Sequence, residues 1–208
     1  MKAIIQERYG APSVLKIGEM KYPKIKDDEV LIELEYANVS SGDARMRALN
    51  ESPLIKIMIK LIYGWNGLRK KIPGVSGAGI VKQIGAKVTT LKENDRVYSI
   101  NGMKLGHYAE YVTIKEKGAI AKIPDNISFK EAAPLSFGAL TAYHFINQKN
   151  IRRNQNVLIY GASGSVGTYA VQLAKYYGAF VTAVSSQKNH QILKEIGADH
   201  TIDYKTTD

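Results

Sequence analysis

The sequence predicts a two-part protein: a β-rich, barrel-like domain followed by an α/β domain built on parallel strands. Three observations carry that expectation. The first half holds short strands separated by glycine and charged turns. A strand at Asn156–Tyr160, a glycine turn at Gly161–Gly167 and an apolar-periodic helix to Tyr176 then follow without a break. Strands at Phe180–Val184 and about His200–Asp203 alternate with a helix at about Asn189–Ile196.

In the glycine turn, Val157, Leu158 and Ile159 supply the apolar run of a buried parallel strand. Gly161 suits the tight turn, Gly164 a close approach of backbone to ligand, and Gly167 tight packing of helix on strand. The first N–H groups of the helix, at Ser165 and Val166, face outward at a positive dipole end, which fits a pyrophosphate. Val171, Leu173 and Ala174 give the helix its packing face, and Gly178 and Gly197 end the two helices. The whole is one βαβαβ mononucleotide-binding half.

Composition bounds the rest. The 208 residues are 45% apolar and 23% charged, ordinary for a soluble globular chain of one or two domains. Cysteine is absent, which excludes disulfides, thiolate zinc sites and cysteine nucleophiles. The N-terminus is charged too early for a secretion signal, and no run reaches the ~20 apolar residues of a membrane span. A cytoplasmic location is the expectation. The net charge of +10 is scattered rather than interleaved with aromatics, which argues for solvated surface and attraction of an anionic cofactor rather than nucleic-acid binding.

Taken in order, strands are expected at Ala3–Ile5, Leu15–Met20, Glu29–Tyr36, Gly77–Val81, Arg96–Ile100 and Tyr108–Ile114. Glu29–Tyr36 alternates cleanly, and the glycines of Gly77–Val81 imply a bend or close backbone approach. Pro53–Trp65 reads as an apolar helix with Lys56 and Lys60 one turn apart; packing against its own domain, with a pocket lid as a special case, is the expectation over a membrane-surface helix, because the apolar residues wrap too much of the circumference for two clean faces. Ser128 and Glu131 have capping-box spacing ahead of a helix interrupted near Pro134. The boundary is placed at Pro124, giving domains 1–124 and 125–208.

The order of Met1–Ile4, Glu29–Ile32, Ser40–Asp43 with Arg47, Pro73–Gly79, Asn94–Val97, Tyr108–Val112, Glu131–Ala133, Leu140–Tyr143, the glycine turn, Gly197–Asp199 and Ile202–Tyr204 resembles the medium-chain dehydrogenase/reductase superfamily, in its zinc-free quinone-oxidoreductase-like branch. The resemblance implies a GroES-like β-barrel domain followed by the first half (βαβαβ) of a Rossmann domain. It also implies NADPH between them and hydride transfer to a quinone or an α,β-unsaturated carbonyl. Many relatives carry asparagine, contacting the nicotinamide, where Ser40 stands. They also run longer, so the resemblance implies a C-terminally truncated chain, inactive alone. Relatives often dimerise through the far sheet edge, so a homodimer is an expectation for the intact protein. A non-catalytic remnant, or a dinucleotide-binding module without turnover, is the alternative.

The site residues follow from both sources. No Asp or Glu follows Val184 to bond a ribose 2′-hydroxyl, while Ser185 and Lys188 can hold a 2′-phosphate. The resemblance adds Tyr204, and with it NADPH is expected over NADH. Thr141 lies where relatives bond the cofactor, and back-bonding within its own helix is the competing reading. Asp43 matches a family aspartate near the pocket and is the catalytic candidate, although bonding of the turn or pairing with Arg47 explains it equally. Tyr36, Tyr63 and His107 are further proton-donor candidates. His107, His144, His190 and His200 lack zinc-ligand spacing. Without a Lewis acid, an acceptor that spreads charge by conjugation fits better than a simple ketone.

Overall fold

Alternating apolar residues set the first unit, Met1–Ser136, of the computed structural model, which describes residues 1–206. Strands β1 (Lys2–Gln6) and β2 (Leu15–Glu19) form an antiparallel hairpin. Five more strands, β3 (Glu29–Asn38), β4 (Ser76–Ile84), β5 (Arg96–Ile100), β6 (Tyr111–Lys115) and β7 (Ala119–Lys122), make an antiparallel sheet of order β6-β3-β4-β5-β7. Val30 and Ile32 on β3 meet Val81, Val97, Val112 and Ile114 from its neighbours. Each such burial stabilises by about 1.5–3 kcal/mol. The short edge strand β7 carries no strong pattern and escapes the sequence reading.

Two helices, α1 (Ser41–Ala48) and α2 (Pro53–Tyr63), lie between β3 and β4 in sequence. Helix α2 packs on its own domain through Ile59, Lys60 and Tyr63, which are half-buried, but none of its residues is fully buried and the broad apolar face is left exposed. Periodicity locates an apolar arc but does not say which way it faces. Helix α3 (Phe129–Ala132) starts with the expected capping box, in which Ser128 Oγ accepts the Glu131 N–H at 3.3 Å and the Glu131 carboxylate accepts the Ser128 N–H at 2.9 Å. Pro134 has no N–H to continue the ladder. The chain resumes as a π turn, Leu135–Ala139, and then α4 (Leu140–Gln148).

The second unit, Phe137–Asp208, is the βαβαβ arrangement. Strand β8 (Asn156–Tyr160), α5 (Ser165–Tyr176), β9 (Phe180–Ser185), α6 (His190–Glu195) and β10 (His200–Asp203) follow one another. The strands are parallel, in the order β10-β9-β8. Val171 and Ala174 of α5 and Leu193 of α6 close over Ile159, Val181 and Ala183. Strand β8 is an edge, with Leu158 and Tyr160 exposed.

Asp199, between α6 and β10, ties this unit together. It accepts the Val181 N–H at 2.8 Å and bonds the Lys175 ammonium at the end of α5. The Lys175 bond first, then the Val181 N–H, hold its carboxyl below the ordinary range. Its stabilisation is therefore complete above the ordinary carboxylate value and is lost as pH falls through the lowered one. Asp199→Ala is expected to cost roughly 1–3 kcal/mol at neutral pH by leaving the buried Val181 amide unpaired. Thermal melts should show the gap to wild type closing in acid.

Candidate dinucleotide and substrate sites

The glycine turn is built by backbone constraints. Gly161 takes φ +71°, a conformation L side chains rarely adopt, and open space surrounds the position of its missing Cβ. A Cβ on Gly167 would collide with the Gly161 carbonyl and the Ala162 backbone, so only glycine lets α5 start this close to the end of β8. The Ala162 N–H donates to Val184 O at 3.1 Å, and the Gly164 N–H to Gly161 O at 3.0 Å. These bonds fix the turn between β8 and β9.

No side chain caps α5, whose N-cap is Gly164. The N–H groups of Ser165, Val166 and Gly167 therefore have no partner within the helix. Ser163, Gly164 and Ser165 are exposed, so the positive end of a twelve-residue helix opens onto solvent. An anion can meet those amides without displacing a side chain.

At the far end of β9 the expected residues divide. Lys188 and Tyr204 are exposed. Ser185 is 2% exposed, and its hydroxyl donates to Ser186 O at 3.1 Å. The hydroxyl presented nearer the surface is that of Ser186, which accepts from Asn189 Nδ2 at 3.2 Å. The reading that no carboxylate stands at this corner needs correction. Parallel pairing sets Asp203 opposite Ser185, and its carboxylate accepts the Gln187 N–H at 3.3 Å. The acid comes from the third strand, outside the stretch after β9 where one was sought.

Thr141 lies on α4, with its hydroxyl donating to Phe137 O of the π turn at 2.6 Å. That is the back-bonded arrangement, which leaves the oxygen lone pairs to accept.

In the first unit a pocket of about 410 Å³ gathers Gln6 and Tyr36 with Asp43, Arg47, His107 and Tyr108. Ser40 and Asp43 form a capping box at the start of α1. The Ser40 N–H and hydroxyl donate to Asp43 Oδ2 at 2.9 and 2.6 Å, and Ser40 Oγ accepts the Asp43 N–H at 3.2 Å. The S-x-x-D spacing carries the same signal as that at Ser128 but was not read as a helix start. Arg47 donates to Gly10 O at 3.3 Å and, among the described residues, forms no ion pair with Asp43.

Asp43 Oδ1 is buried beside the Tyr108 phenol, and among the described residues it has no partner in hydrogen-bond geometry. Burial, then the Asp43 charge, push the Tyr108 phenol above its ordinary range. His107 Nε2 lies 3.0 Å from Ser99 Oγ, and burial lowers the imidazole to about 4 despite the Gly74 carbonyl. His107 is therefore neutral at pH 7. Tyr63 lies on α2 and does not line this pocket. Gln6 and Tyr108 were not singled out as site residues, because only the fold turns them toward Asp43.

The chain has no cysteine, and among the described residues no three His, Cys, Asp or Glu side chains converge. Among those residues, too, no helix is long and apolar enough to cross a membrane.

Residues 26–125 match the alcohol dehydrogenase GroES-like domain family, and residues 165–208 match the family described as zinc-binding dehydrogenase. The chain belongs to the medium-chain dehydrogenase/reductase superfamily, with quinone-oxidoreductase-like relatives and structural neighbours. It joins a GroES-like domain to a partial Rossmann domain. The 2-methylene-furan-3-one reductase of Solanum lycopersicum is 35% identical, over 98% of this chain and 52% of that protein. The chloroplastic quinone-oxidoreductase homolog of Spinacia oleracea is 36% identical, over 99% of this chain and 62% of its own. The quinone oxidoreductase of Coxiella burnetii superposes with a TM-score of 0.87 at 31% identity, covering 100% of this chain and 63% of that one. The Escherichia coli quinone oxidoreductase complexed with NADPH gives 0.83 at 26%, covering 100% and 60%. The chain thus spans 52–62% of these two curated relatives.

Gln6 tests the pocket. Its amide is fully buried, and among the described residues neither end has a hydrogen-bond partner. An unpaired buried amide costs about 1–3 kcal/mol, so Gln6→Met should raise stability by about 1 kcal/mol. A lower melting temperature would show instead that the amide is satisfied by a molecule held in the pocket.

Proposed function

We propose that this chain is part of an NADPH-dependent, zinc-independent oxidoreductase that delivers hydride to a quinone or an α,β-unsaturated carbonyl. The observation that carries the reading is the uncapped, open start of α5 above the glycine turn in a chain of this superfamily. The names of the relatives, reductases of a furanone and quinone oxidoreductases, support the acceptor class, and the E. coli neighbour's NADPH supports the cofactor.

In this proposal the N–H groups of Ser165, Val166 and Gly167 hold the diphosphate, and Gly161 and Gly164 leave room for it. Lys188 and Tyr204 face the 2′-phosphate, with the Ser185–Ser186 backbone shaping the corner. Lys188 and Lys205 offset the charge that Asp203 brings there. Thr141 addresses the nicotinamide through the lone pairs its present bond leaves free. When bound, the nicotinamide supplies the hydride. Asp43 handles the accompanying proton through Oδ1, the oxygen its cap leaves unused. His107, neutral and tied to Ser99, shapes the pocket rather than donating as an imidazolium. With no metal to take up charge, conjugation in the acceptor meets that need.

A dinucleotide-binding module without turnover is the second reading. It rests on the open amides of α5, which can hold a dinucleotide whether or not hydride is transferred.

Calorimetric titration separates cofactor from chemistry. NADPH should bind more tightly than NADH. Lys188→Glu should weaken NADPH by about tenfold, one lost phosphate contact, while leaving NADH unchanged. Equal affinity for both cofactors contradicts the NADPH assignment. NADPH oxidation with benzoquinone then decides between enzyme and module.

A further inference from the structure

Six cations of the first unit, Lys26, Arg69, Lys70, Lys71, Lys104 and Lys115, line one pocket of about 610 Å³. They come from four stretches: the loop before β3, the loop between α2 and β4, the β5–β6 connection and the end of β6. Arg69, Lys70 and Lys104 also line an adjoining cavity of about 240 Å³, so two of these loops meet at their cations.

Most of this charge is not neutralised from within. Lys71 pairs with Glu7 and Lys115 with Asp28. Among the described residues, Lys26, Arg69, Lys70 and Lys104 have no acidic partner. Among those that line the pocket, Glu29 carries the one carboxylate; it is buried and accepts the Lys26 N–H at 3.1 Å. Cations gathered at a concavity repel one another, and low-dielectric walls focus their field. An anion seated there relieves that repulsion.

The wall that carries Lys104 is held in an unusual shape. Leu105, 3% exposed, takes φ +54° and ψ −162°, which L side chains rarely adopt. Asn101 Nδ2 donates to Leu105 O at 3.0 Å, and Gly106 follows at φ +108°. The Arg69 N–H donates to Tyr63 O at 2.7 Å, which anchors the loop of Arg69 and Lys70. Pro23, Ile72, Leu105 and Val112 add apolar wall.

Size and chemistry select the occupant. The volume falls in the range of roughly 300–1,000 Å³ that holds small organic molecules, more than inorganic phosphate needs. A guanidinium fork matches phosphate oxygens in pairs, and ammonium groups add point charge. We propose that this pocket binds a small phosphate ester, its phosphate on Arg69, Lys70 and Lys104 and its apolar body against Leu105 and Val112. The site lies within the first unit, and the proposal does not rest on the oxidoreductase reading.

Naphthyl phosphate is the probe, with naphthol and inorganic phosphate as its two halves. Calorimetric titration of the full chain should show saturable binding of the ester, weaker binding of phosphate and weaker still of naphthol. Amide shifts should move at Arg69–Ile72 and Lys104–Gly106. Lys70→Glu with Lys104→Glu should weaken the ester roughly tenfold or more, two charge-assisted contacts being lost. Lys117→Glu with Lys130→Glu makes the same change in net charge at exposed lysines outside the pocket, and should leave the affinity unchanged. If circular dichroism shows the pocket pair misfolded, Arg69→Gln carries the test, with the same direction expected. Naphthol binding as tightly as the ester, equal loss in both pairs, or shifts confined to other regions overturns the proposal. So does an oligonucleotide that moves these amides when the ester does not, because the partner is then nucleic acid.

Discussion

The second unit depends on one close backbone approach, that of α5 to the end of β8. With Gly167 against the Gly161 carbonyl and Gly161 in the left-handed region, the helix begins without a side-chain cap. Its first amides then point at open space rather than at a serine or aspartate. Two other helices are capped by side chains. Ser40 with Asp43 and Ser128 with Glu131 both form reciprocal boxes. The start of α5, the longest helix among the described residues, is one of several without a side-chain cap, and it follows a glycine turn. It leaves donors that an anion can use.

Two carboxylates show how the fold redefines what a sequence suggests. Asp43 is half committed: one oxygen closes the α1 cap, and the other is buried beside Tyr108 in a pocket with Gln6 and His107. One oxygen is thus committed to structure, and among the described residues the other has no partner. Asp203 is brought beside the Ser185–Lys188 corner by strand register alone. Its presence sets one acid beside the exposed Lys188 and Lys205 at that corner, in place of a simple absence of acid.

The βαβαβ unit was legible because each of its signals is local. Asn156–Tyr160 is a strand by composition, and Gly161, Gly178 and Gly197 punctuate where left-handed backbone is needed. Strand β7, four residues of Ala119–Lys122 at a sheet edge, has too little pattern to declare itself. Helix α1 was missed although Ser40 and Asp43 carry the cap spacing, because too few apolar residues follow to set a period. The pocket around Gln6 and Tyr108 joins segments a hundred residues apart and leaves no local trace. For α2, the apolar arc was visible but its direction was not. Burial depends on the surface a helix meets, and α2 meets the rest of its domain with its narrower side.

The most direct measurement is amide chemical-shift mapping of the isotopically labelled chain during addition of NADPH. The account predicts that the largest perturbations fall on Ser165, Val166 and Gly167, with a second group at Ser186–Lys188. Perturbations confined to other regions, or none at saturating nucleotide, would contradict the claim that the open start of α5 holds the dinucleotide.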